Sequence, residues 1–305
     1  MDLLSKLASA LDVAFTPLEL MYGALACVLA IVIGASLARK QARAFSGQDD
    51  GATTSANEHL PNVTFVDYAD MRFLHLGTPA VQGSMKLSKP FEIHLDYVQR
   101  MMGWLLCADL NRVDQMQAMQ LGLGAASLTK FCNTQLHMHT TAIELNPEVM
   151  NTCRRWFSLP ENNHKLHVLQ GDAAEVVRDD QWHGKIDALQ VDLYDQEAAC
   201  PVLDSEAFYR DCRQLLSDEG CMTVNLFGKN SNAQASIQKI ATAFGVEAVW
   251  AFKPTAAGNT IALAWKTARQ FDPKALLAQA QTIETRWALP ATKWLKVLAP
   301  AHPQR

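Results

Sequence analysis

The sequence predicts an open α/β sheet whose central strands run parallel, and three observations predict it. Residues 116 to 195 hold four short apolar runs: Met116–Leu121, Thr140–Ile143, Leu166–Gln170 and Ile186–Val191. Helix-periodic segments lie between them, so each run returns to the sheet through a crossover. Each run also ends at glycine or carboxylate: Gly122-Leu123-Gly124, Glu144, Gly171-Asp172 and Asp192-Leu193-Tyr194-Asp195. Polar groups gathered where parallel strands stop and helices begin are how such a sheet builds a ligand site.

The composition fits this reading. With 305 residues, 49% apolar and 19% charged, the chain can bury one full core and still carry additions. A net charge of −4 leaves no basic footprint, which argues against a nucleic-acid partner. Seven cysteines (27, 107, 132, 153, 200, 212 and 221) include no CxxC pair and sit mostly in apolar runs, as in Trp104-Leu105-Leu106-Cys107. They read as reduced core cysteines. The nine histidines form no metal-ligand pattern, and no metal is expected; His137 and His139 read as structural or solvated.

In chain order, residues 1–43 form an N-terminal segment whose stretch Leu20 to Ala38 carries no charge. As a helix it would span roughly 28 Å, close to the hydrocarbon thickness of a bilayer. Arg39, Lys40 and Arg43 follow at once. The positive-inside bias then predicts a single-pass anchor in the cytoplasmic membrane, with the rest of the chain in the cytoplasm. The alternatives are a buried helix, or a soluble cytoplasmic protein if this segment is not retained. Residues 44–62 are small and polar and read as a flexible linker. Residues 63–112 predict a small unit: a β-hairpin from Val63-Thr64-Phe65-Val66 and Arg72–Leu76, then a helix over Glu92 to Ala108 with apolar residues at spacings of three and four.

Residues 113–268 form the large α/β domain. Beyond Asp195, Ser205 to Ser217 predicts a helix capped by Asp204 or Ser205. Asp218-Glu219-Gly220 predicts a turn, Cys221 to Phe227 a fifth strand, and Asn232 to Phe244 a helix closed by Gly245. Val246 to Phe252 and Thr260 to Lys266 are joined by a short connection and must pair antiparallel. This is the layout of a class I, S-adenosylmethionine-dependent methyltransferase-like Rossmann fold: seven strands, the last antiparallel, with a small N-terminal β-hairpin unit. Residues 269–305 form a helical tail, with a helix over Lys274 to Trp287 and a shorter one within Pro290 to Pro300.

The strand ends carry the chemistry. Gly122 and Gly124 let the backbone turn sharply beside a ligand. Glu144 ends the next strand about 20 residues onward, where an acid accepts hydrogen bonds from a ribose diol. Because Asn146-Pro147-Glu148 opens a helix, Glu144 can equally be an acid favoured by the helix dipole. Asp172 is a candidate for adenine contact or a plain helix cap. Asp192 and Asp195 flank Leu193-Tyr194 over the same crevice. Two carboxylates there can bind a cationic substrate and take up a proton, or be one cap and one solvated acid.

These residues resemble the polyamine aminopropyltransferase (spermidine synthase) family over about Leu74 to Lys266. The resemblance lies in a hairpin ending in Gln82, a helix containing Tyr97, the glycine loop, and the segments IELNPEV, QGDAAEVV, DALQVDLYD and KPTAAGNTIALAW. It implies decarboxylated S-adenosylmethionine as co-substrate, a polyamine acceptor such as putrescine, and methylthioadenosine as by-product. It further implies that Gly122, Gly124, Glu144 and Asp172 hold the nucleoside, with Glu144 on the ribose and Asp172 on the adenine. Asp192 would position and deprotonate the attacking amine, Asp195 would bind the polyamine's ammonium, and Gln82 and Tyr97 would line the substrate side. A homodimer through the N-terminal region is a further implication. Three places depart from the family pattern: Ala125 replaces the aspartate of the glycine loop, Ala256 replaces a tyrosine that faces the polyamine, and the Tyr-His/Gln-Glu motif of the preceding helix aligns with Tyr97-Val98-Gln99. The nucleoside end is kept and the amine end is depleted. Two readings therefore stand beside aminopropyl transfer: methyl transfer from S-adenosylmethionine, and a membrane-tethered nucleoside-binding protein without turnover.

Overall fold

The computed structural model describes residues 60–194, 201–227 and 233–301. The expected membrane span, nearly all of the linker, and Asp195 lie outside them. Among the described residues no helix is long and apolar enough to cross a membrane.

The chain first forms an antiparallel meander of three strands, β1 (Val63–Tyr68), β2 (Met71–Leu76) and β3 (Val81–Lys86). The sequence predicts the hairpin but not β3. In Val81-Gln82-Gly83-Ser84-Met85-Lys86 the alternation is interrupted by glycine between Val81 and Met85, because packing selects a small residue there. A Cβ on Gly83 would stand 2.8 Å from both the backbone nitrogen and the Cβ of Ala125. Glycine in a strand marks such a close approach. The meander is tied down by Arg72, whose guanidinium grips both Asp67 oxygens at 2.7 Å and donates to the Trp156 carbonyl at 2.6 Å. Phe65 packs beside Trp156 and Phe157.

The helix expected over Glu92 to Ala108 forms only as α1 (Asp96–Met101), followed by a 3₁₀ turn over Gly103–Cys107. Gly103 explains the change. It is a poor helix former, and a Cβ there would lie 3.0 Å from the Phe252 ring and 3.2 Å from Leu263. Close docking onto the sheet outweighs the helical periodicity.

The main sheet runs β11-β9-β10-β8-β7-β4-β5-β6. Its strands are β4 (Gln117–Leu121), β5 (His139–Glu144), β6 (Leu166–Gln170), β7 (Ile186–Val191), β8 (Leu216–Leu226), β9 (Val249–Phe252), β10 (Thr260–Trp265) and β11 (Leu298–Pro300). The strands β6-β5-β4-β7-β8 are parallel, and β10 inserts antiparallel between β8 and β9. The Rossmann-like class is as predicted, with one strand more than the seven expected. The extra strand is β11, from the segment expected to be helical. There, α8 covers only Ala291–Trp294 and the chain then pairs with the open edge of β9. Pro300 is acceptable in β11 because an edge strand needs no donor on its outer side.

The turn expected at Asp218-Glu219-Gly220 lies inside β8. The pairing of β7 and β8 slips between Ile186 and Ala188, and a Cβ on Gly220 would meet the Ile186 carbonyl at 2.6 Å. This glycine marks a bulge at a close backbone approach rather than a chain reversal.

The helices are α2 (Ser127–Lys130), α3 (Pro147–Trp156), α4 (Ala173–Val176), α5 (Glu206–Leu215), α6 (Ala233–Phe244) and α7 (Pro273–Trp287), with α2 running on into a wider π turn over Phe131–Gln135. The side chains of Asn146, Asp172, Ser205 and Asp272 each accept a backbone N–H at a helix start. Of the two expected caps for α5, Ser205 is the one used. One core cluster joins Trp104, Phe131, Trp265 and Trp294; another joins Phe208, Tyr209, Ile240 and Phe244. Cys132, Cys153, Cys212 and Cys221 are buried free thiols, as read from the sequence.

Lys130 lies in this interior. It is buried, and its Nζ donates to the Phe157 carbonyl at 2.6 Å. Burial pulls its ammonium from the ordinary 10.5 down to about 8. The penalty on the charged form is complete below pH 8. It is relieved between about 8 and 10.5, where the unfolded chain still binds the proton and the folded chain has released it. Urea unfolding should therefore show wild type gaining stability relative to Lys130→Met across that window, by up to about 3 kcal/mol. A difference that does not vary with pH would show that the ammonium is not penalised in the fold.

Candidate active site

At the carboxyl ends of β4, β5, β6 and β7, a cavity of about 300 Å³ opens beneath the meander. Two glycines shape its floor. Gly122 has φ +89°, and a Cβ there would lie 2.3 Å from the Asp192 carbonyl oxygen. Gly124 has φ +50° and faces the Gln82 carbonyl, 3.1 Å from where a Cβ would stand. The Asp192 N–H donates to the Leu121 carbonyl at 3.0 Å and the Gly122 N–H to Ile143 at 2.9 Å. Three consecutive strand ends are thus laced together by backbone, which leaves the side chains free to face the cavity.

Glu144 does more than end a strand. Its Oε1 accepts the Asn146 N–H at 2.9 Å and its Oε2 the Leu123 N–H at 3.0 Å. Burial pushes the carboxyl up, and these backbone bonds pull it back. Each oxygen keeps a lone pair for a ligand hydroxyl. Asp172 caps α4 by accepting from the Ala174 N–H at 2.8 Å and also lines the cavity, so a cap role and a ligand-facing position hold together.

Asp192 stands at the end of β7, partly exposed to the cavity. Its Oδ1 accepts from Asn225 Nδ2 at 2.8 Å. Desolvation pushes its carboxyl up to about 6, opposed by hydrogen bonds from Asn225 and the Tyr97 hydroxyl. Tyr97, on α1, is driven well above its ordinary range by burial and by the Asp192 charge. Tyr194, on the same loop, donates its hydroxyl to the Asn225 carbonyl at 2.7 Å and accepts from the Phe227 N–H at 2.6 Å.

Gln82, Tyr97, Gly122, Gly124, Glu144, Asp172 and Asp192 all line this one cavity. Asp195 lies outside the described residues. Ala125 is buried in the cavity wall, whereas Ala256 is exposed and is not among the residues that line it. Sequence reasoning missed Asn225 and Tyr194. The available signal for Asn225 was one amide in an otherwise apolar strand end, Val224-Asn225-Leu226. Among the described residues, the lining carries three carboxylates and no Lys, Arg or His. The field in the cavity favours a cationic ligand.

Comparison with known proteins decides the family. No family model matches the chain. A polyamine aminopropyltransferase of Neisseria meningitidis serogroup A is 33% identical over 190 residues, 62% of this chain and 70% of that protein. The chain belongs to the polyamine aminopropyltransferase family. Its fold is shared with a probable spermidine synthase from Corynebacterium glutamicum, at a TM-score of 0.59 and 18% identity, covering 77% of this chain and 88% of that one. The human methyltransferase-like protein 13, solved in complex with SAH, matches at a TM-score of 0.56 and 16% identity, over 64% of this chain and 93% of that one.

Within this aminopropyltransferase fold, the contact of Gly122 with Asp192 is testable. Gly122→Ala places a methyl group against the Asp192 carbonyl and holds alanine at a positive φ. It should cost about 2 kcal/mol or more in urea unfolding. An unchanged midpoint would show that the two loops are not in contact.

Proposed function

We propose that this chain moves an aminopropyl group from decarboxylated S-adenosylmethionine to a polyamine acceptor such as putrescine. The observation that carries this is Asp192: a carboxylate in a cavity of negative field, held by neutral hydrogen-bond partners, beside a nucleoside-sized space floored by glycine. The donor supplies an electrophilic methylene beside its sulfonium and a neutral thioether as leaving group. The chain's work is then to align the reactants and keep the attacking amine neutral. Glu144 would accept the ribose hydroxyls and Asp172 would contact the adenine. Asp192 would accept a hydrogen bond from the attacking amine and take up its proton as the carbon–nitrogen bond forms. Gln82 and Tyr97 would close the acceptor side, and Asp195 would meet the far ammonium.

A second reading, methyl transfer from intact S-adenosylmethionine, is favoured by one observation. Ala125 offers the donor's tail no charge. Quantifying methylthioadenosine, left by aminopropyl transfer, and S-adenosylhomocysteine, left by methyl transfer, by mass spectrometry with putrescine and either donor separates the two. Product is expected from the decarboxylated donor, with Asp192→Asn lowering kcat/KM by about 10²- to 10⁴-fold. Asp192 acts as its anion, so kcat/KM should fall as the pH drops through about 6. Product from neither donor, with nucleoside still raising Tm, would support binding without turnover.

On this reading the apolar run Leu20 to Ala38, flanked by Arg39, Lys40 and Arg43, tethers the enzyme to the cytoplasmic membrane. The full chain should stay with membranes washed at high pH, and a chain starting at Ala44 should not. Equal release of both would exclude the tether.

A further inference from the structure

Behind Asp192 lies a line of neutral polar groups that the nucleoside and amine contacts do not use. Thr255, Asn259 and Asn225 are all buried. Asn225 is the penultimate residue of β8, while Thr255 and Asn259 close the turn between β9 and β10 through a Thr255 N–H bond to the Asn259 carbonyl at 2.8 Å. The Thr255 hydroxyl accepts the Asn259 N–H at 3.0 Å and lies 3.4 Å from Asn259 Oδ1, to which it donates. Asn259 Nδ2 donates to Asn225 Oδ1 at 3.0 Å. Asn225 Nδ2 donates to Asp192 Oδ1 at 2.8 Å. Every side-chain donor in the line points toward the carboxylate.

We infer that Asn225, oriented by Asn259 and Thr255, is a positioning residue that fixes the Asp192 carboxylate in its reactive orientation. The inference rests on Asp192 being the group that meets the amine. Three physical points support it. The amide of Asn225 has one workable orientation: turned over, its oxygen would face the carboxylate and its NH₂ would face the NH₂ of Asn259. The last bond is charge-assisted, the stronger kind, and a line of aligned donors polarises it further. The support is also neutral. An Arg or Lys in place of Asn225 would hold Asp192 as firmly but cancel its charge, in a cavity where the described lining carries no cation. An amide line holds the carboxylate and leaves its field for a cationic substrate. Asn225 also accepts the Tyr194 hydroxyl at its carbonyl, so one residue anchors both ends of the Asp192–Tyr194 segment.

The test is the titration of Asp192 itself, followed by ¹³C-carboxyl NMR on the full chain and assigned by the resonance missing in Asp192→Asn. The groups facing it are Tyr97 from α1, Tyr194 from its own loop, Asn225 from β8, and Glu144 and Asp172 across the cavity. Wild type should titrate near pH 6. Asn225→Leu, which removes the donor without opening space for water, should raise the midpoint by about one pH unit. Asn259→Leu and Thr255→Val should raise it by less, and Thr255→Ser should restore the wild-type value. Asn225→Leu combined with Asn259→Leu should shift it no further than Asn225→Leu alone, because the two act through one contact. A folded Asn225→Leu with an unmoved midpoint, or shifts that add, would overturn the inference. If Asn225→Leu does not fold, Thr255→Val against Thr255→Ser decides alone, and equal midpoints overturn it. The titration needs no substrate, so it stands apart from the proposed reaction. That reading fails separately, if wild type makes no methylthioadenosine.

Discussion

The architecture of the site depends on one backbone contact, the approach of Gly122 to the Asp192 carbonyl, which leaves no room for a Cβ. The strands β4 and β7 are neighbours in register, with Leu121 opposite Val191, so their ends must part into two loops at the same height. Glycine at a positive φ lets the first loop turn under the second. The turn brings the Leu123 N–H to Glu144 and sets Asp192 at the cavity wall. Two carboxylates from different strands thereby share one 300 Å³ space. Closing that geometry takes no side chain from either loop, and the side chains remain available for chemistry.

Three carboxylates face one cavity, and burial disfavours the charged form of two of them, Glu144 and Asp192. Each is offset differently, and none by a cation lining the cavity among the described residues. Glu144 takes two backbone N–H bonds, Asp172 takes one at the start of α4, and Asp192 takes the Asn225 amide and the Tyr97 hydroxyl. Dipoles support the anions individually without neutralising the site, so the cavity keeps its preference for positive ligands. The residual cost falls on Glu144, whose carboxyl stays raised, and on Asp192, whose carboxyl is pushed up to about 6. That value still leaves it ionised at neutral pH.

The central strands were legible because their signals are local. Leu166–Gln170 and Ile186–Val191 form as read, β4 starts one residue later than read, and β5 is one residue longer at each end. Apolar runs closed by glycine or acid carry period, boundary and ligand-facing end within a few residues. What was not legible depends on partners distant in sequence. The strand β3 exists because Gly83 fits against Ala125, the 3₁₀ turn at Gly103 because Phe252 and Leu263 press on it, and the bulge at Gly220 because Ile186 lies across it. In each case a glycine was visible but the contact selecting it was not. Asn225 is the same problem in the site: its neighbours Asp192 and Asn259 are brought to it only by the pairing of β8 with β7 and β10. Seven of the eight proposed site residues line one cavity: five stand at or just after strand ends, Gln82 is on the meander and Tyr97 on α1. The eighth, Asp195, lies outside the described residues.

Ala125 shows how the two ends of the cavity differ physically. It is buried, and strand β3 packs on it so tightly that Gly83 has no room for a methyl group. The contact is made by Ala125 Cβ and its backbone nitrogen, and the meander that supplies Gly83 is tied down by Arg72 on Asp67 and Trp156. Around Ala125 the cavity offers Gly83, Ser84 and Ser127, small and uncharged. The charged side chains of the described lining are Glu144, Asp172 and Asp192. At position 125 the loop offers no charge-assisted contact, the kind worth about 1.5–3 kcal/mol in general. Asp192 is held by neutral dipoles, the Asn225 amide and the Tyr97 hydroxyl, which can fix a carboxylate without cancelling its charge.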